Sequence, residues 1–130
     1  ADVAIFGAGP IGVLVAMWAR TWGAGRVMLV DIDQSKLDFA RSLGFAETCN
    51  ARAENPVAWI NDSTELGADL VLEVSGSAKA FEQCLLTARP FGQVVLMGNP
   101  NGDMALPQDA YWAILRKQLT VIGTWNSSYS

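Results

Sequence analysis

The run Val3-Ala4-Ile5-Phe6-Gly7-Ala8-Gly9-Pro10-Ile11-Gly12 constrains the fold of this chain more than any other stretch. Four apolar residues read as a short buried strand. The glycines follow at the spacing G-x-G-x-x-G, and an apolar helical run continues to about Trp22. A second apolar strand, Val27-Met28-Leu29-Val30, ends on Asp31, about 20 residues beyond the last glycine. Strand, glycine turn, helix and a second strand ending in a carboxylate are the parts that dinucleotide binding needs. Gly7 permits the tight turn, Gly9 leaves room for a pyrophosphate against the backbone, and Gly12 lets the helix pack closely on the strand. The helix N-terminus, with Pro10 and Ile11 in its first turn, offers unpaired N–H groups and a partial positive charge to the phosphates. The Asp31 carboxylate accepts hydrogen bonds from ribose hydroxyls and repels a 2′-phosphate. Ile32 and Asp33 come next, with no arginine to receive such a phosphate. The pattern therefore predicts NAD rather than NADP. Lys36, one helical turn into the following helix, is placed to reach the same ribose.

Composition narrows the reading by exclusion. The 130 residues make one domain. Hydrophobic residues are 51% and charged residues 17%, so the chain buries a sizeable core and has few surface charges, which hints at faces covered by another domain or subunit. Net charge is −4 with no basic run, which argues against a nucleic-acid footprint. No stretch reaches the roughly 18 consecutive apolar residues of a membrane helix, and the opening lacks the basic region of a signal peptide. Two cysteines, Cys49 and Cys84, stand far apart, and there is no histidine. That set makes no tetrahedral zinc cage, so both thiols are expected in the core, in a reducing cytoplasm. The chain opens on Ala1-Asp2, already at a strand and without an initiator methionine, and is expected to be a piece of a longer protein.

Strands and helices alternate onward. In the first helix, Ile11, Leu14, Val15, Trp18 and Trp22 recur at helical spacing and predict a buried stripe. The opposite side is apolar too, so the helix should be covered on more than one face. A helix from Asp33 to Leu43 has Leu37 and Ala40 inward and is stopped by Gly44. A weak third strand is predicted at Phe45–Cys49 and a helix at Ala53–Asn61. The fourth strand is Asp69–Val74, with a turn at Ser75-Gly76-Ser77 and a helix over Ala78–Ala88. Pro90–Gly92 reads as a turn, Gln93–Met97 as the fifth strand and Met104–Leu106 as a short extended piece. Gln108–Lys117 is a helix and Leu119–Gly123 a sixth strand. Such alternation gives an α/β Rossmann domain: a doubly wound, six-stranded parallel sheet in the order 3-2-1-4-5-6 with helices on both faces.

In that sheet a ligand lies beyond the C-terminal strand ends. Those ends are Gly7–Gly12, Asp31, Val74-Ser75-Gly76, Met97-Gly98-Asn99 and Gly123–Trp125, and they should line one crevice. No nucleophile–base pair or metal cluster is visible, so no catalytic residue is assigned. Glu73 sits in an apolar strand beside the crevice and is a candidate for partial burial.

The stretches VAIFGAGPIG, VMLVDIDQSKLDFARSLG, LVLEVSG and FGQVVLMG, in this order, resemble the cofactor domain of zinc-dependent medium-chain alcohol and polyol dehydrogenases. The ending Leu119–Tyr129 looks most like the sorbitol and galactitol-1-phosphate dehydrogenase branch. The resemblance implies that Gly7–Gly12 hold the pyrophosphate of NAD, that Asp31 and Lys36 hold the adenosine ribose, and that Val74, Ser75 and Gly76 flank the riboses. Met97, Gly98, Asn99 and Thr124 would approach the nicotinamide. It implies a catalytic zinc, acting as a Lewis acid on an alcohol or polyol substrate, in a lobe that this chain lacks. Without that lobe the chain alone is expected to be inactive. It also implies a homodimer or homotetramer formed through the sheet edge near Asn101–Leu106. The alternative reading is a non-catalytic, NAD-sensing regulatory domain, which shares the first two strands but does not predict the later matches.

Overall fold

The opening apolar run forms β1 (Asp2–Phe6), and α1 (Pro10–Thr21) follows across the glycine turn, in a computed structural model that describes residues 1–125. Then come β2 (Arg26–Asp31), α2 (Gln34–Ser42), β3 (Thr48–Asn50), α3 (Pro56–Ser63), β4 (Ala68–Glu73), α4 (Ala78–Thr87), β5 (Ala88–Leu96), α5 (Gln108–Arg116) and β6 (Thr120–Gly123). The strands pair in the order β3-β2-β1-β4-β5-β6, every pair parallel, as the sequence predicts. Ala4, Ile5, Met28, Leu29, Val71 and Val94 are fully buried, because strands covered on both faces carry apolar side chains on both. On one face, Val13, Ala16, Leu37 and Ala40 of α1 and α2 pack on Val3, Ile5 and Leu29. On the other, Ile60, Cys84, Leu85 and Ala110 of α3 to α5 pack on Ala4, Phe6 and Val71. Each large apolar side chain so buried contributes about 1.5–3 kcal/mol.

Side-chain caps fix where α2 and α4 begin. Asp33 accepts the Ser35 N–H at the start of α2, and the Ser35 hydroxyl bond holds the Asp33 carboxyl below the usual carboxylate range. Ser77 accepts the Ala80 N–H at the start of α4. Both cysteines lie in the core as free thiols. Burial, with Glu54 adding to it, pushes Cys49 up to about 11, and burial beside Glu73 raises Cys84 well above the ordinary range, so neither is a ready thiolate. Among the described residues no helix is long and apolar enough to cross a membrane.

Three expectations need correction. The expected buried stripe of α1 faces outward: Trp18 is 65% exposed, Trp22 74% and Leu14 65%, and Ile11 is exposed as well. The sheet side is instead Gly12, Val13 and Ala16. An alanine- and glycine-rich face comes closest to a strand, so the bulky residues are turned away. Trp18→Gln is accordingly expected to change stability by no more than about 0.5 kcal/mol, read from the urea midpoint. A loss above ~2 kcal/mol would return Trp18 to the core. The third strand is Thr48–Asn50, shifted toward the C-terminus, and Phe45 is a buried loop residue ahead of it. The Pro90–Gly92 turn is a bulge inside β5: Ala68 pairs with Ala88 but Leu70 with Gln93, and Phe91 adopts φ 62°. The Met104–Leu106 piece lies between β5 and α5, outside helices and strands. Leu106 packs on the core, Pro107 caps α5, and the outer edges of the sheet are β3 and β6.

Candidate functional site

The turn between β1 and α1 is built by three glycines with three different constraints. Gly7 has φ +122°, a conformation that L side chains rarely adopt, and its missing Cβ would sit 3.1 Å from the Ser75 nitrogen. Gly12 faces it from α1: a Cβ there would overlap the Gly7 carbonyl oxygen and lie 2.8 Å from the Gly7 carbonyl carbon. Gly9 differs from both. Its φ of −70° suits any residue, and nothing lies within 4 Å of where a Cβ would be. Neither backbone nor packing demands a glycine at that point. It leaves open space directly against the backbone at the N-terminus of α1, where N–H groups and the helix dipole attract an anion.

Asp31, at the end of β2, reaches back to this turn. Its Oδ2 accepts the Ala8 N–H at 2.7 Å, and its Oδ1 accepts the Asp33 N–H at 2.9 Å. A carboxylate offers about four acceptor sites. Two are taken, so one on each oxygen remains, which suits two neighbouring hydroxyls. Lys36 is exposed on α2 and lines the same groove as Gly9 and Pro10, a volume of about 550 Å³ that also takes in Val13, Leu14, Met17 and Phe39. Ile32, beside Asp31, is 54% exposed and offers an apolar face at the end of β2.

On the other side of β1 the turns after β4 and β5 interlock. Gly76 has φ +78°, and a Cβ on it would overlap the Asn99 carbonyl; a Cβ on Gly98 would overlap the Gly76 nitrogen and lie 2.9 Å from the Val74 carbonyl carbon. Backbone therefore meets backbone without side chains between. The Asn101 N–H donates to the Gly76 carbonyl at 3.0 Å. Met97 is half-buried on the α1 face of the sheet. Thr124 follows β6, and its N–H donates to the Leu96 carbonyl at 2.9 Å. The Asn126–Tyr129 part of the ending lies outside the described residues.

Thus Gly7 meets Val74 and Ser75, Gly76 meets Gly98 and Asn99, and Asp31 meets the glycine turn, while Ile11 stands exposed on α1. Three features escaped the sequence reading: the Ala8–Asp31 hydrogen bond, the exposed Ile32, and the role of Glu73. Glu73 is 2% exposed, and its Oε1 accepts from the Ser75 N–H at 2.7 Å, the Ser75 hydroxyl at 2.5 Å and the Gly76 N–H at 2.8 Å. The signal was a carboxylate two and three residues ahead of a Ser-Gly pair.

The strand ends thus present an anion-attracting helix end with room against the backbone, a carboxylate with two free acceptor sites, and two turns whose backbones meet at Gly76 and Gly98. That arrangement fits a dinucleotide laid across the strand ends. Known proteins agree with it. The family described as zinc-binding dehydrogenase matches residues 10–130, and the chain belongs to that family. The chain is 38% identical over 128 residues to an L-threonine 3-dehydrogenase of Deinococcus deserti, covering 95% of this chain and 36% of that protein. It superposes on galactitol-1-phosphate dehydrogenase of Escherichia coli with a TM-score of 0.85 and 34% identity, covering 95% of this chain and 36% of that one. A Sinorhizobium meliloti protein solved with NADP gives a TM-score of 0.84 at 29% identity, covering 96% and 37%. The chain spans little more than a third of the length of these relatives.

Proposed function

We propose that this chain is the NAD-binding domain of a longer zinc-dependent alcohol or polyol dehydrogenase, positioning nicotinamide for hydride transfer. The observation that carries the reading is Gly9: a glycine that the fold does not need, at the one place where a pyrophosphate would touch backbone. Gly7, Gly9, Pro10, Ile11 and Gly12 then surround the pyrophosphate. Asp31 takes the two hydroxyls of the adenosine ribose with its free acceptor sites, and Lys36 stands beside it. Val74, Ser75 and Gly76 flank the riboses, and Met97, Gly98, Asn99 and Thr124 face the nicotinamide. When bound, NAD supplies the hydride acceptor. The residues of this chain bind it, orient it and keep it in one pose.

The proposal assigns the zinc and the catalytic groups to a separate lobe of the longer protein; among the described residues no group of three or more His, Cys, Asp or Glu side chains could hold a metal ion. The substrate class is an alcohol, a polyol or a sugar-alcohol phosphate, with the sorbitol and galactitol-1-phosphate branch as the finer reading, in the cytoplasm. Association through a sheet edge is part of the proposal. The surface proposed for it is the sheet edge near Asn101–Leu106; among the described residues β6, exposed at all four positions, is an outer strand of the sheet. The dehydrogenases among its relatives favour this reading over the regulatory alternative.

The test is Gly9→Ala. The methyl group enters empty protein space, so the urea midpoint is expected to stay put. It also enters the proposed pyrophosphate position, so NADH affinity is expected to fall at least about tenfold by calorimetric titration, near 1.4 kcal/mol. Unchanged NADH affinity in the variant would remove the pyrophosphate from this turn.

A further inference from the structure

Glu73 is a carboxylate almost fully buried at the end of the central strand β4, and among the described residues it pairs with no cation. A buried carboxylate is costly unless its lone pairs are satisfied, so the donors it accepts from show what holds it there. Every side-chain bond Glu73 makes goes to one turn: the Ser75 N–H, the Ser75 hydroxyl and the Gly76 N–H all converge on Oε1. Its backbone holds a second turn. The Glu73 carbonyl accepts the Met97 N–H at 2.9 Å and the Gly98 N–H at 3.0 Å. These two turns are the pair that interlock through Gly76, Gly98 and Asn99. One residue thus gathers both.

Sheet order says which part of a ligand these turns serve. Asp31 lies at the end of β2, on one side of β1, while β4 and β5 lie on the other. With the adenosine ribose on Asp31 and the pyrophosphate at the β1 turn, the second half of the dinucleotide extends over β4 and β5. We propose that Glu73 is a positioning residue for the nicotinamide half: it sets the Ser75–Gly76 turn against Met97–Gly98 and so fixes the floor on which that half rests. The proposal rests on the dinucleotide reading given above.

Two calorimetric titrations, with NADH and with AMP, test it on the wild-type chain, Glu73→Met and Glu73→Gln. AMP reports the adenosine half alone. In Glu73→Met the three donors lose their acceptor, and NADH affinity is expected to fall about tenfold while AMP affinity stays within about twofold. Glu73→Gln keeps a neutral oxygen at the same place and is expected to fall between, near threefold for NADH with AMP unchanged. A merely structural role would move both ligands together or neither, and either result overturns the proposal. If Glu73→Met does not fold, the isosteric Glu73→Gln decides on the same criterion. Failure of the wild-type chain to bind NADH would instead overturn the dinucleotide reading, and this proposal with it.

Discussion

Gly12→Ala is expected to destabilise the chain by about 3 kcal/mol, at the upper end of what overpacking costs. The added methyl would overlap the Gly7 carbonyl oxygen, and that atom has nowhere to go. The Gly7 N–H is tied to the Val30 carbonyl at 2.8 Å, and behind Gly7 stand Ser75 and Val74. The strain is relieved only if α1 lifts off β1, which opens the contacts of Val13 and Ala16 with the sheet. With a urea slope of about 1–3 kcal/mol per molar, the midpoint should fall by at least ~1 M. A midpoint within about 0.3 M of wild type would show that the helix and strand are not in such close contact. Paired with Gly9→Ala, the experiment separates two glycines of one motif: Gly12, which the fold requires, and Gly9, which the proposal gives to the ligand.

Asp31→Ser is expected to have the largest effect on ligand choice. The carboxylate holds the Ala8 N–H and the Asp33 N–H, and it keeps one free site on each oxygen, which the proposal gives to the ribose diol. Hydrogen bonds to a charged acceptor contribute about 1.5–3 kcal/mol each, so losing even one to the ribose weakens NADH about tenfold or more. Removing the negative charge also removes its repulsion of a 2′-phosphate, which at 4 Å and an effective dielectric of 20 is worth up to about 4 kcal/mol per charge pair. NADPH is therefore expected to gain as NADH loses, and the NADH/NADPH ratio to shift by roughly two orders of magnitude. The shorter serine also frees Ala8, so a stability loss near 1 kcal/mol accompanies the shift. If both ligands weaken equally, Asp31 serves the loop and not the ribose.

The order of elements was legible in the sequence for a physical reason. Parallel strands buried on both faces appear as unbroken apolar runs, and Gly44, Ser75-Gly76-Ser77 and Pro107 punctuate them. The phase of α1 was not legible from apolar spacing, because a helix apolar on all sides has no contrast to read. Ile11, Leu14, Trp18 and Trp22 form a stripe, but an exposed one. The signal lay in the motif. If Gly12 must face β1, then Ala16 one turn later faces it too, and the bulky residues point away. The bulge at Phe91 was hidden because a left-handed phenylalanine has no sequence signature. In the candidate site, the tight glycine turn and the place of Asp31 at the end of β2 were legible because the motif spacing fixes both. The bond from Ala8 to Asp31 was not, since a backbone N–H carries no residue signature. Glu73 was legible as an anomaly but not as the clamp of two turns.

The central claim is that these strand ends hold a dinucleotide whose adenosine ribose bears no phosphate. Titrating the wild-type chain with NADH and with NADPH, followed by quenching of its tryptophans, tests it most directly. Saturable binding of NADH at least about tenfold tighter than NADPH is the predicted result. NADPH binding as tight as NADH or tighter would contradict it.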